Sequence, residues 1–406
     1  MNPVASGTLL AARWLAFASA VSVLFSIAAS QILLALALAA LLFSEARLRL
    51  PPVWLPLAVF FAATLVSIAL SAEPSLANPQ IRKIFVFLML PVLYSALRDL
   101  ATLRRLYLCL FAAGAIVALR AMVQFFQKVE QAHAAGRSFY DFYVAERVTG
   151  AMSHWMTFGG QQMTVLLMLA AYLLFARDGR RRAWWLAPAA GAIALAILLG
   201  FTRTIWGAAA IGGLYLLWRR KRLAALMAPL LAALLFFAAP PSLRTRFESM
   251  VRPRKGIDSN EFRYVCRRIG YEMIRQHPWF GIGPEQVKAQ YLRYVPDDVP
   301  RPLPEGWYGH LHNIYIHYAA ERGIPALLAL VWLLVKILLD FRLEIRKLPP
   351  GPSDRRFLLE GGVAVVLATM AAGLFELNLG DSEVLTLFLV VVASGYLARE
   401  AEPELA

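Results

Sequence analysis

Apolar residues in this chain do not alternate with polar ones; they come in long runs. Runs lie near 53–71, 84–97, 106–126, 155–176, 184–200, 205–218, 223–239, 313–339, 357–377 and 383–398, most of them close to the roughly 20 residues that a helix needs to cross a bilayer. A further run from Leu9 to Phe43 holds only one charge, Arg13. It is too long for one helix, and a turn near Ser26–Ser30 makes it two. Its apolar stretch is not a short core followed by a small-residue cleavage site, so these are expected to be retained membrane helices rather than a removed leader. The pattern predicts an all-α polytopic membrane protein of about 12 transmembrane helices: spans one to nine over 1–239, an outer segment over 240–312, and spans ten to twelve over 313–406.

The outer segment has periodicity of its own. Pro240-Pro241 opens a short amphipathic stretch carrying Leu243, Phe247, Met250 and Val251. A second stretch places Phe262, Cys266, Ile269 and Met273 on one helical face, with Asp258 and Glu261 at capping-box spacing and His277-Pro278 as its stop. A folded helical cap is expected there. No internal repeat or low-complexity tract interrupts the chain.

Composition agrees: 59% of residues are hydrophobic and 17% charged, against about 45–50% and about 25% in soluble domains. The charge is one-sided, with 41 Lys+Arg against 26 Asp+Glu for a net +15. In a soluble protein that excess would suggest nucleic acid. Here about half of the cations fall in short connections, at Arg47/Arg49, Arg98/Arg104/Arg105, Arg177/Arg180–Arg182, Arg219–Arg222 and Arg342–Arg356, and the positive-inside rule reads these as cytoplasmic. Arg13 and Arg399 join that side, so both termini are expected in the cytoplasm, and no nucleic-acid partner is expected. Cys109 lies in an apolar run and Cys266 in a polar stretch, surroundings too different for a disulfide.

Charges at the rim of an apolar bundle are costly unless paired or hydrated, which makes them candidates for function. Arg203, in Gly200-Phe-Thr-Arg-Thr-Ile-Trp206, sits in a very short outer connection; a snorkelling arginine beside an interfacial tryptophan fits the same residues. Arg147 precedes span six and Arg82-Lys83 precede span four on that face, where headgroup anchoring is the plain alternative. Arg263 lies on the striped cap helix among Arg267, Arg268 and Arg275, where the alternative is a solvated face. Their convergence on one face from separate elements favours binding of a lipid-linked pyrophosphate, since guanidinium forks match phosphate oxygens. Three of the six histidines fall in Gly309-His-Leu-His-Asn-Ile-Tyr-Ile-His317, where the cap re-enters the membrane. A neutral imidazole there suits a general base. A metal site on His310, His312 and His317 is the competing reading, disfavoured because no cysteine or placed carboxylate completes a shell. Glu376, Asp381 and Glu383 flank the turn between spans eleven and twelve, where they could orient a base or cap helices, and capping is the preferred reading. No phosphate loop, nucleophile elbow or zinc motif is present.

His312 and Asn313 followed by Glu321-Arg-Gly323 resemble the His-Asn…Glu-x-Gly element of the O-antigen ligase and polymerase superfamily. Phe262-Arg263 leading to His-Pro-Trp-Phe-Gly-Ile-Gly-Pro284 is similar to its Arg…Pro-x-x-Gly-x-Gly segment, and Thr202-Arg-Thr-Ile-Trp206 to its Ser-Arg-x-x-Trp element. The resemblance implies a GT-C-like, metal-independent, inverting glycosyltransferase of the bacterial inner membrane with its active site on the periplasmic face and no cofactor. Its donor would be a glycan on undecaprenyl diphosphate and its acceptor the lipid A core oligosaccharide. Carried over by position, His312 is the catalytic histidine, Arg203 and Arg263 are essential arginines, and Arg147 matches more weakly through Arg-x-x-Gly; Thr202 in place of serine and the extra histidines at 310 and 317 depart from the pattern, and Asn313, Gly323, His310 and His317 are taken as supporting residues. Within the superfamily the alternatives are an O-antigen polymerase and a protein O-oligosaccharyltransferase; outside it, a secondary transporter.

Overall fold

The computed structural model describes residues 3–44, 46–249 and 260–401, with backbone alone at 3–6 and at 235. Every regular element among them is helical. A hairpin of α1 (Pro3–Ser22) and α2 (Ile27–Leu42) turns at Ser26, whose side chain caps α2, and is tied by Ser19 donating to the Ser30 carbonyl at 2.7 Å. There follow α3 (Trp54–Leu70), a 3₁₀ turn at Pro74–Ala77 running into α4 (Asn78–Phe87) and α5 (Met89–Ala96), then α6 (Leu100–Ala134) and the short α7 (Phe139–Ala145). Four membrane-type helices come next: α8 (Trp155–Phe175), α9 (Ala183–Leu199), α10 (Arg203–Arg220) and α11 (Arg222–Ala238). The outer segment holds α12 (Pro241–Glu248), α13 (Asn260–Gln276) and α14 (Val287–Gln290), before α15 (Ile314–Lys347), α16 (Asp354–Gly373) and α17 (Ser382–Glu400) close the bundle.

A helix therefore stands at each of the places where the apolar runs predict one. Six are long and apolar enough to cross a membrane: the Pro74–Ala96 stretch, α6, α8, α15, α16 and α17. The first two helices, α3, α9 and α11 are apolar but shorter, and α10 carries Arg203, Arg219 and Arg220 at its ends. Helices α8, α16 and α17 are buried over most of their length and form the centre. Helix α11 lies at the edge and turns Leu223, Leu226, Leu230, Leu234 and Phe237 outward, the face expected against lipid.

The cap has a core distinct from that of the bundle. Phe262, Cys266, Ile269 and Met273 of α13 are buried, as their spacing predicts, against Ile282, Val287, Tyr294, Leu311 and the first turns of α15. Helix α13 ends at Gln276, just before His277-Pro278, and α12 begins at Pro241. Asp258, Met250 and Val251 lie outside the described residues. Both cysteines are free.

The cations of the opposite face do more than mark topology. Arg13 pairs with Asp99, Arg49 with Glu400, Arg104 with Asp354, Arg219 with Glu360 and Arg355 with Glu344, so that face is laced across helices by ion pairs.

Candidate active site

The site forms where the N-terminus of α15, the turn after α16, the start of α13 and the 146–154 loop meet. Asn313 is the cap of α15: its Oδ1 accepts from the amides of Tyr315 at 2.9 Å and Ile316 at 3.0 Å. Its Nδ2 donates to the Leu374 carbonyl at 2.9 Å, so the same residue that starts α15 draws in the turn carrying Glu376. His312, immediately before that cap, has φ 49°, a left-handed conformation unusual for a non-glycine residue. Its Nδ1–H donates to Glu376 Oε2 at 3.3 Å, while its Nε2 is buried without a hydrogen-bond partner among the described residues.

Arg263 of α13 grips the same carboxylate through Oε1 and donates to the Phe375 carbonyl at 2.7 Å. Burial works to raise the Glu376 pKa, but Arg263 and His312 outweigh it and hold the carboxyl below the usual range. The two readings of the late carboxylates thus divide between Glu376, which meets the histidine, and Asp381, which caps a helix. Asp381 caps α17 through the amides of Glu383 and Val384, with Thr157 as a further donor, whereas Glu376 belongs to the histidine.

The other two histidines take different places. The His310 ring stands 4.0 Å from that of His312, and its Nδ1 accepts the His312 amide at 3.2 Å. Burial first, then His312 and His317, push its pKa down to about 2, so it is neutral throughout the physiological range. The His317 ring is 6.4 Å from that of His310, and its Nε2 lies 3.3 Å from Glu321 Oε2. The three do not converge on one point, and no group of three or more His, Cys, Asp or Glu among the described residues is arranged to hold a metal.

Arg147 is held by a clamp that sequence reading did not anticipate. Gln124 of α6 accepts the amides of Thr149 and Gly150 at 3.2 and 2.8 Å and donates to the Gly150 carbonyl at 2.9 Å, fixing the Arg-Val-Thr-Gly loop. The Arg147 guanidinium stacks over Trp155, 5.0 Å from the ring centroid. Burial, followed by crowding from Arg246, Arg263 and Arg203, lowers its pKa to about 9. Four guanidiniums thus share one neighbourhood, which an anion would relieve.

Arg203 opens α10 and ties the cap to the bundle, donating to Ser249 and, at 2.7 Å, to Asn260 Oδ1. The tight α9–α10 turn behind it rests on Phe201 at φ 48° and on Trp206, whose indole donates to the Ile197 carbonyl at 2.8 Å. Arg246 of α12, buried and donating to the Phe201 carbonyl at 2.9 Å, was missed in the sequence, as was His154. The pKa of His154 is pushed down by burial, against the pull of Glu376 and Asp381. Lys83 lies near Glu383, at the α4–α17 contact. Arg82 is exposed, and no contact among the described residues joins it to the cluster.

Gly323 breaks α15 at φ 82°, followed by Pro325. The carbonyls freed by the break are taken by the cap: Ile282 donates to Ala320 and Gly283 to Glu321, both at 2.9 Å, and Ile324 donates back to Pro278 at 2.8 Å. A Cβ on Gly323 would collide with the Trp279 carbonyl, and one on Gly281 with the Glu321 backbone. The Gly-x-Gly and Glu-x-Gly elements are therefore two sides of one backbone knot, with no open gap left at the break.

A bundle of apolar helices under a helical cap, with arginines and a strained histidine at their junction, defines a polytopic α-helical membrane protein with a polar site at one end. Residues 188–331 match the protein-family model described as O-antigen ligase. That match runs from α9 into α15, and it supports the resemblance to the O-antigen ligase and polymerase superfamily over that part of the chain. It contains Arg203, Arg246, Arg263, His310, His312 and Gly323, whereas Arg147 and Glu376 lie outside it. No curated protein matches the chain by sequence. The coarse function that accompanies the family is enzymatic glycan transfer of the O-antigen pathway, on lipid-linked substrates in a membrane.

Proposed function

We propose that the protein is a lipopolysaccharide O-antigen ligase, moving glycan from undecaprenyl diphosphate to the lipid A core at the periplasmic face of the inner membrane, across about twelve spans. The observation that carries the mechanism is the His312–Glu376 pair. A carboxylate can only accept, so the imidazole proton lies on Nδ1, and the orphaned Nε2 offers its lone pair as a base. An acceptor hydroxyl gives its proton to that nitrogen, and its oxygen attacks the anomeric carbon from the side opposite the diphosphate. The bond from that carbon to the phosphate oxygen breaks with inversion, and its electron pair leaves on the diphosphate.

Arg147, Arg263 and Arg203 take up the departing charge, a contribution that is larger in a water-poor cavity than in bulk. Arg263 also shares Glu376, so the acid that orients the base is held by a residue of the leaving-group site. His310 is assigned to the backbone of His312 rather than to proton transfer, and His317 with Glu321 to the α15 break. Lys83 and Arg82 are assigned to the first encounter with the lipid diphosphate.

The test is reconstitution of the purified protein with lipid-linked glycan and lipid A core, following which acceptor gains mass, with and without a divalent-ion chelator. Mass gain on the core lipid, unaffected by chelation, is the expected result. Growth of glycan on the lipid carrier alone would make the protein a polymerase, and chelator-sensitive transfer would overturn metal independence.

A further inference from the structure

At the helix ends opposite the histidine–arginine site, the end of α8, the α10–α11 corner and the α15–α16 connection enclose two adjoining cavities of about 340 and 530 Å³. They share Leu174, Arg220 and Pro352 as walls. Six cations line them: Arg177, Arg180, Arg219, Arg220, Lys221 and Arg356. Among the described residues their one carboxylate partner is Glu360, held by Arg219 at 3.0 Å and faced by Arg356 at 3.9 Å; Asp178 nearby is engaged by Arg182. For Arg177, Arg180, Arg220 and Lys221 no ion pair is formed among the described residues. The floor is apolar, formed by Leu173, Leu174, Leu217 and Ala224. Lys221 breaks the helix at φ −147° between α10 and α11, which opens the corner.

We propose that this corner is a binding site for the phosphodiester headgroup of an anionic phospholipid, separate from the catalytic site and on the face that the positive-inside rule assigns to the cytoplasm. The two-part lining is the reason for a lipid rather than a free anion. The cations at the rim lie at headgroup level, and acyl chains continue over the leucine floor and the outward apolar face of α11. Guanidiniums without carboxylate partners gain a counter-ion, and the α10–α11 corner gains a brace. The proposal does not depend on the reaction performed at the other end.

The experiment uses the full chain in a zwitterionic detergent, with thermal melting and native mass spectrometry as readouts. Phosphatidylglycerol is compared with phosphatidylcholine and with inorganic phosphate at equal phosphate concentration. Phosphatidylglycerol is expected to raise Tm by about 3 °C or more and to leave a retained lipid adduct. The triple variant R177Q/R180Q/R220Q, changed only at exposed positions without ion-pair partners, should melt as the wild type does without lipid and lose at least half of the shift and the adduct. A control triple on the same face but outside the cavities, R105Q/R342Q/R346Q, removes the same charge and should keep both. Equal losses in the two triples would reduce the effect to general surface potential and overturn the site. An equal shift with phosphatidylcholine or with inorganic phosphate alone would overturn the anionic-lipid assignment.

Discussion

At the scale of single residues, Glu376 organises the site although it is not expected to touch substrate. It receives Arg263 on one oxygen and His312 on the other, and removing one member of a buried charged pair costs about 3–5 kcal/mol. Its lowered pKa sets the sign of a pH effect. A carboxyl whose folded pKa is depressed adds stability that is fully present above the ordinary carboxylate value and is lost as pH falls through the folded one. Melting curves should therefore show wild type losing more stability than E376Q on acidification from pH 7 to below about 4.5; equal losses would remove Glu376 from the pair. Arg147 forms no ion pair among the described residues and lies among other guanidiniums. R147A should lower the rate of glycan transfer by about 10²-fold with little change in melting, whereas R203A, which unties Ser249 and Asn260, should lower both.

At the scale of elements, the break in α15 fixes how the cap sits. Gly323→Ala combines a forbidden φ with a collision against Trp279 and should cost more than about 3 kcal/mol in a denaturation assay. Gly136→Ala has a similar φ of +60° but open space around the new Cβ, and should cost only about 1 kcal/mol. Similar costs for the two would mean that the knot between 278–283 and 320–324 does not carry the cap. This knot marks the boundary of what sequence could yield. Helix positions followed from apolar runs, Arg203 stood out as a charge in a short connection between two of them, and Arg263 and His312 were picked out from the cap helix and the histidine cluster by the family resemblance. Glu376 was ambiguous, because a carboxylate at the end of a run can orient a base or cap a helix; its role depends on Asn313 reaching Leu374 across two helices. Arg246 lay hidden on a short helix whose pattern showed only its apolar face, and Gln124 was an ordinary polar residue late in a long run until its partners in the 149–150 turn were known.

At the scale of the whole molecule, charge divides between two ends. One end has cations laced to carboxylates across helices, and the other has arginines gathered around a histidine. In intact cells, a membrane-impermeant thiol reagent should label a cysteine introduced at Arg137, on the turn after α6, and spare one at Arg180 until the membrane is opened; the reverse would invert the orientation. In the proposed mechanism the chemistry of glycan transfer rests on one imidazole. The most direct measurement is single-turnover transfer by H312A in the reconstituted system, with accumulation and melting of the variant checked alongside. The account predicts a protein that folds and still binds the lipid-linked donor but transfers at least about 10²-fold more slowly. Transfer at the wild-type rate by folded H312A would contradict it.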